Sequence, residues 1–385
     1  VDTSPSEPPP AQPSGPPPPR ARARDLGIRI GTLPTGPTNS IVDVANVRVG
    51  HATVWFDEAA PPAGRGVART GVTAIVPFDL GELFEARVPV GATVLNGAGE
   101  MTGYLQAREW GSLETPILLT RTMAVGRVFD GTVGAMLAAD AAVGADDVVI
   151  PMVGECDDSW LSDGRAVQVE VSDVERALAA AAGPEAGPVA EGAVGAGTGM
   201  VCLGFKGGIG SASREVPPTG YRVGVLVLSN FGDGAHLTVD GVPVGRQFAA
   251  DGWTSARERP AGSCIVVIAT DAPFSSRQLE RLSRRAGLGL ARTGSVAHHG
   301  SGEIFAAFST GQRMGRTPET NIFHATLLRD EVLDPFFGAV VEATEEAVIN
   351  SLVAADTVTG RDGRAAYGIP HDRLTRILRD HGRLR

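Results

Sequence analysis

The stretch Gly262-Ser263-Cys264-Ile265-Val266-Val267-Ile268-Ala269-Thr270-Asp271-Ala272-Pro273, entered through Pro260-Ala261, sets a glycine–serine step directly before a run of small, mostly β-branched apolar residues. Cys264 to Ala269 has no polar alternation, which predicts a strand buried on both faces. Asp271 and Pro273 end it. Ser263 therefore stands at the mouth of a central strand, held rigidly and still able to meet a substrate. Gly262 has no Cβ, so the backbone there is free to take positive φ. A serine so placed can attack the carbonyl of its own preceding residue. The products are a C-terminus at Gly262 and an N-terminus at Ser263, whose free α-amine titrates at about 7.7–8.0 and serves as its own base. Taken by itself, a serine that opens a strand is more commonly structural.

Working outward, alternation predicts a strand over Ile41–Val49, with further strands over Gly71–Pro77, Val88–Leu95, Ile117–Thr120 and Asp147–Val153. The loop Asn96–Gly103 leads into a helix through Trp110, and Ala-rich Thr132–Val143 reads as a packed helix. A helix over Asp173–Ala182 has capping-box spacing in Ser172 and Glu175. Tyr221–Ser229 is an apolar strand running into Asn230. A helix over Ser275–Ala286 is capped by Asp271 or Ser275. A strand over Ile304–Ser309 and helices over Phe336–Ala355 and Arg373–Arg379 complete the chain. The irregular order of strands and helices fits neither a Rossmann fold nor a TIM barrel and gives the class α+β. Pro-rich residues 1–21 read as a disordered tail, and 22–385 as a single catalytic domain.

A net charge of −10 over 385 residues argues against nucleic acid as a partner. No apolar run reaches the ~18 residues of a membrane span. Cys156, Cys202 and Cys264 form neither a disulfide framework nor a metal knuckle. The seven histidines are scattered, apart from adjacent His298 and His299, and read as surface or loop residues. No metal or cofactor is expected. Localisation is expected to be cytoplasmic, or periplasmic or secreted if a presequence has been removed ahead of Val1.

Three further places could carry chemistry. In Ser301-Gly302-Glu303, a glycine-flanked loop before a strand, the carboxylate can orient the hydroxyl, and the hydroxyl can relay a proton; an ordinary self-capping turn has the same pattern. Asn230 ends a strand before Phe231-Gly232, where a side-chain amide can donate to an oxyanion or simply form a turn. Glu155 follows a buried-looking strand and suits an ammonium, although Asp157 and Asp158 nearby equally suggest a solvated acidic turn. The glycine-rich runs Gly195–Gly199 and Gly204–Gly210 lack the strand–GxGxxG–helix order of a nucleotide site and read as close-packed loops on the active-site side.

Gly262-Ser263 followed by Cys-Ile-Val-Val-Ile-Ala-Thr-Asp-Ala-Pro resembles the self-cleavage site of the L-aminopeptidase D-amidase/D-esterase (DmpA-like) family, which includes the β-peptidyl aminopeptidases. The resemblance runs from about Arg22 to the C-terminus. It implies an αββα layered sandwich of N-terminal-nucleophile type, cut into 22–262 and 263–385. It implies Ser263 as nucleophile, Ser301 and Glu303 completing the catalytic set, Asn230 stabilising the oxyanion and Glu155 contacting the substrate amine. Lys206, Ser211 and Arg214 match the family's glycine-rich segment, and Asn96–Gly103 another signature. Five positions depart. Ala98 stands where a second Asn is often found, and Cys156 where a Thr is common. Asp157 stands where relatives often carry an aromatic residue, which makes the substrate-binding side more acidic, and Arg121 and Met123 replace Asn and His. The function expected is a self-processing serine aminopeptidase acting on small peptides, amino-acid amides or esters, as a homo-oligomer, a tetramer of cut chains. The alternatives are a related amide-oligomer hydrolase or an ornithine acetyltransferase-like enzyme, both of which use threonine, and a non-catalytic amine-binding protein on the same scaffold.

Overall fold

The computed structural model describes residue 15 and residues 20–183, 187–257, 262–316 and 321–384. The longer strands are β1 (Val47–Asp57), β2 (Val67–Pro77), β3 (Ala86–Gly97), β4 (Ile117–Arg121), β5 (Met152–Cys156), β6 (Gly208–Val216), β7 (Tyr221–Asn230), β8 (Gly262–Thr270) and β9 (Ser301–Ser309). They form two sheets, ordered β1-β2-β4-β5 and β3-β9-β8-β7-β6. The longer helices are α1 (Tyr104–Trp110), α2 (Val125–Ala139), α3 (Val171–Ala182), α4 (Val244–Ala250), α5 (Ser276–Ser283), α6 (Ala286–Arg292), α7 (Asp334–Val353) and α8 (His371–Asp380).

Side-chain alternation on β8 explains the layering. Ile265 and Val267 pack between the sheets, against Ile117, Leu119 and Met152 of β4 and β5. Val266 and Ile268 point the other way and pack with Leu279, Leu290 and Val348 of α5, α6 and α7. On the far side, Leu118 and Val153 pack against Val128, Val174 and Ala177 of α2 and α3. The result is the expected αββα sandwich. Each fully buried Val or Ile contributes about 1.5–3 kcal/mol, so an unbroken apolar run stabilises a strand with helices on one face and a second sheet on the other. β8 and β9 run parallel through a crossover containing α5 and α6, while β7 and β3 flank them antiparallel.

Several elements differ from the sequence reading. Ile41–Val49 is not one strand: Ile41–Asp43 is a 3-10 turn with Ser40 and Asp43 as its capping box, and β1 begins at Val47. Ile41, Val44 and Val47 are the buried apolar residues, a spacing of three that suits the turn better than alternation does. Asp147–Val153 is displaced to Met152–Cys156, because Val148 and Ile150 lie exposed ahead of Pro151. The helix expected over Thr132–Val143 starts at Val125; Gly126, Gly131 and Gly134 weaken its helical signature, and Gly131 lets α2 approach Val174 closely. The capping box of α3 is Glu170 with Asp173, not Ser172 with Glu175. The helix after β8 is two helices, the first capped by Ser275.

The chain is already anchored at Arg20, whose N–H donates to Ala354 O at 3.0 Å; the tail reading for residues 1–14 and 16–19 lies outside the described residues. Among the described residues no helix is long and apolar enough to cross a membrane.

Candidate active site

Topology gathers the candidates at one end of the sandwich. β8 and β9 start there, β7 and β3 end there, and β4 and β5 of the other sheet end opposite. Ser263 opens β8 directly across from Asn230 at the end of β7. Directly opposed residues share a face, and here it is the face between the sheets. Ser263 is buried, and its Oγ accepts a hydrogen bond from the Gly302 N–H at 3.3 Å. Gly262 has φ +124°, and a Cβ there would lie 1.5 Å from Asn230 O and 3.2 Å from its Nδ2. No side chain larger than hydrogen fits that position with β7 in place.

Asn230 is held at every polar atom. Its Oδ1 accepts from the Val201 N–H at 2.9 Å and from Arg257 Nη2 at 2.9 Å. Its Nδ2 donates to Asp157 O at 2.8 Å. Two donors on one oxygen fix which end of the amide is nitrogen. The amide nitrogen also borders Gly262.

Glu155 lies within β5 instead of following it. Glu100 N–H donates to its Oε1 at 2.9 Å, and Thr122 Oγ1 donates to Oε2. Glu155 Oε1 and Ser263 Oγ lie 3.1 and 3.9 Å from one point, the place a Cβ on Gly99 would occupy, so carboxylate and hydroxyl border the same small space. Burial raises the Glu155 pKa, against the hydrogen bonds from Thr122 and Glu100. The Asp157 carboxylate is taken up by Ser159, through N–H at 2.9 Å and Oγ at 2.8 Å. It borders the site mainly through its carbonyl, the one that receives Asn230.

Ser301 and Glu303 were expected in a loop and lie inside β9. Ser301 Oγ donates to Glu303 Oε1, so the pair exists as expected. Both are buried, burial raises the Glu303 pKa, and Glu303 Oε2 has no hydrogen-bond partner among the described residues. The parallel register sets Ser301 beside Gly262 and Glu303 beside Cys264. Their side chains therefore leave the sheet on the face opposite the Ser263 hydroxyl, and the pair flanks the Gly262–Ser263 backbone. Asn96 Nδ2 fixes this end of β9 by donating to Ser301 O at 2.6 Å and His298 O at 2.9 Å.

Thr122, Val201 and Arg257 were given no role by the sequence reading, and Asn96 only a place in a family signature; each reaches the site through a hydrogen bond from a segment distant in sequence. The glycine-rich runs also need correction. Gly208–Val216 is a strand; Ser211 is buried in the fold, bonding to Ile41 N–H at 2.8 Å, and Arg214 is committed to Glu346 at 2.6 Å. Only Lys206 lies under the site. Its Nζ donates to the carbonyls of Gly197, Met200 and Gly207 at 3.0, 2.9 and 2.6 Å, and burial lowers its pKa to about 7. Arg121, a departure from the family pattern, forms a buried ion pair with Asp158 at 3.0 Å, while Met123 is exposed. His51 lies on a strand, not in a loop: it is half-buried on β1, Nδ1 2.9 Å from Thr73 Oγ1, with burial lowering its pKa to about 4. Among the described residues no group of three or more His, Cys, Asp or Glu could hold a metal ion.

The chain is similar to known proteins over most of its length. The model of peptidase family S58 matches residues 39–366. The β-peptidyl aminopeptidase BapA of Sphingosinicella microcystinivorans is 42% identical over 379 residues, covering 94% of this chain and 93% of that one. A Burkholderia sp. β-aminopeptidase structure superposes with TM-score 0.85 at 41% identity, covering 94% and 99% of the two chains. The L-aminopeptidase D-Ala-esterase/amidase of Ochrobactrum anthropi, a variant of the N-terminal-nucleophile hydrolase fold, gives 0.86 at 38% identity, covering 94% and 99%. The fold here is that hydrolase fold and the activity that of an aminopeptidase. The chain belongs to peptidase family S58.

Proposed function

We propose that the chain cuts itself between Gly262 and Ser263 and that the exposed Ser263 is the nucleophile of the aminopeptidase. The observation that carries this is the convergence of Ser263, Asn230 and Glu155 on one space between the sheets, beside a Gly262 that tolerates no side chain. In the cut, Ser263 Oγ attacks the Gly262 carbonyl. The C–N bond breaks, the hydroxyl proton passes to the departing nitrogen, and the resulting ester is hydrolysed by water. The two pieces, ending at Gly262 and starting at Ser263, stay joined because β7 and β8 share a sheet.

In turnover, Ser263 Oγ attacks the carbonyl after the first residue of the substrate and gives its proton to the Ser263 α-amine. Ser301, oriented by Glu303 beside that end of the strand, accepts a hydrogen bond from the ammonium formed. Asn230 Nδ2 donates to the oxyanion. The leaving amine takes the proton, and water releases the acyl group. Glu155 holds the substrate ammonium, and Asp157 adds negative charge at the rim. The substrates are peptides, amides or esters with a free terminal amine; the likeness to β-peptidyl aminopeptidase BapA favours a β-amino acid there. Comparing kcat/KM for matched β- and α-aminoacyl anilides decides this, and a preference for the α-series would reject it. The working unit is a homo-oligomer, a tetramer of cut chains. Exposed Val94, Leu105 and Ile150, which line one cavity, support such an association, and sedimentation analysis tests it.

Glu155 gives a pH prediction. Its carboxylate binds an ammonium only when ionised, and burial raises its pKa. kcat/KM therefore rises with pH through a range above that of ordinary carboxylates. Glu155→Gln should raise KM about 10- to 100-fold, the loss of one charge-assisted hydrogen bond, and should remove the Glu155 share of the acid limb, leaving only the limb of the Ser263 α-amine. An unchanged KM, or an acid limb identical to that of the wild type, would remove Glu155 from this role.

A further inference from the structure

The segment that follows α4 leads toward the bond to be cut, and one of its side chains reaches back into the site. Arg257 Nη2 donates to Asn230 Oδ1 at 2.9 Å. The backbone seats this segment on the Val201–Lys206 hairpin, with Ala256 N–H donating to Gly204 O at 3.1 Å. That hairpin supplies the second donor to the same oxygen, the Val201 N–H. Lys206 ties the hairpin down through Met200 O, immediately before Val201. Asn230 is thus gripped at its oxygen by two donors from one platform, and its nitrogen faces Asp157 O and Gly262.

This grip has two chemical consequences. It forbids the flipped amide, in which an oxygen would face the carbonyl under attack and repel the developing negative charge. It also places a cationic donor on the amide oxygen, which draws electron density from Nδ2 and strengthens its N–H as a donor. Both effects act where the Gly262 carbonyl becomes an oxyanion. Burial lowers the Arg257 pKa, and Asp157 supplies the largest opposing charge.

We propose that Arg257 is a positioning residue of the self-cleavage step, acting through Asn230 and not on the scissile bond itself. The inference rests on the cleavage reading above. It extends the machinery of the cut to a residue of the very segment that the cut will leave at a chain end.

The test is the rate of self-cleavage after cell-free synthesis, followed by mass under denaturing conditions. Arg257→Met should slow the cut about 10- to 100-fold, the loss of one charge-assisted hydrogen bond. In Arg257→Ala, added guanidinium ion at millimolar concentration should restore much of the rate, a response that a purely structural lesion would not give. In an Asn230→Ala background, Arg257→Met should slow the cut no further, because the residue it acts through is gone. A wild-type rate in Arg257→Met, a failure of guanidinium to rescue, or full additivity with Asn230→Ala would each overturn the proposal. A wild-type chain that never cuts, like Ser263→Ala, would overturn the cleavage reading and the inference with it. Slow cutting confined to the Arg257 variants leaves that reading intact.

Discussion

Ser263→Ala is expected to remain a single chain of 39.8 kDa with no measurable peptide or amide hydrolysis. The substitution removes one oxygen, and among the described residues that oxygen makes one hydrogen bond, accepted from the Gly302 N–H at 3.3 Å, so the fold should survive with little change in Tm. The chemistry should not. Without Oγ the Gly262 carbonyl has no attacking group, the α-amine of residue 263 stays locked in a peptide bond, and the turnover nucleophile and its base are lost together. Removing the nucleophile of a serine hydrolase costs about 10⁶ in kcat, and here the base is lost as well. Ser263→Cys keeps a nucleophile at the same atom and should retain some cutting. A Ser263→Ala chain that still cuts or turns over would move the nucleophile elsewhere.

Asn230→Ala is expected to slow both the cut and turnover by about 10²–10³, the usual cost of losing one oxyanion donor. The two steps should fall together because both pass through an oxyanion at the same place, the carbonyl that Ser263 attacks. A stability effect follows from the same hydrogen bonds. The Val201 N–H and Asp157 O would lose the Asn230 amide, and each buried orphan costs about 1–3 kcal/mol where water cannot replace it. Single-turnover rates and thermal unfolding separate the two effects. A loss of Tm with unchanged rates would leave Asn230 as a structural tie only.

The heart of the fold was legible because its signal is local. Cys264 to Ala269 is apolar on both faces, and a strand with helices on one side and a sheet on the other needs that run. Asn230 was legible for a similar reason, as the polar residue that ends an apolar strand. Glu155 and Ser301–Glu303 were found as residues but placed outside their strands. Exposed Val148 and Ile150 imitate a buried run ahead of β5, and glycines around Ser301 imitate a loop. Which face of the sheet carries Ser301 and Glu303 depends on the parallel register of β8 and β9, and no residue type announces that register. Thr122, Val201 and Arg257 reach the site through hydrogen bonds across long separations in sequence. Their types are ordinary for the places they occupy, so only the folded chain reveals them.

The most direct test is the intact mass of the purified wild-type protein under denaturing conditions. The account predicts two species whose masses sum to the full chain plus one water, the smaller beginning at Ser263 with a free amine. A single uncut chain that nevertheless hydrolyses aminoacyl substrates, or a cut at another bond, would contradict it.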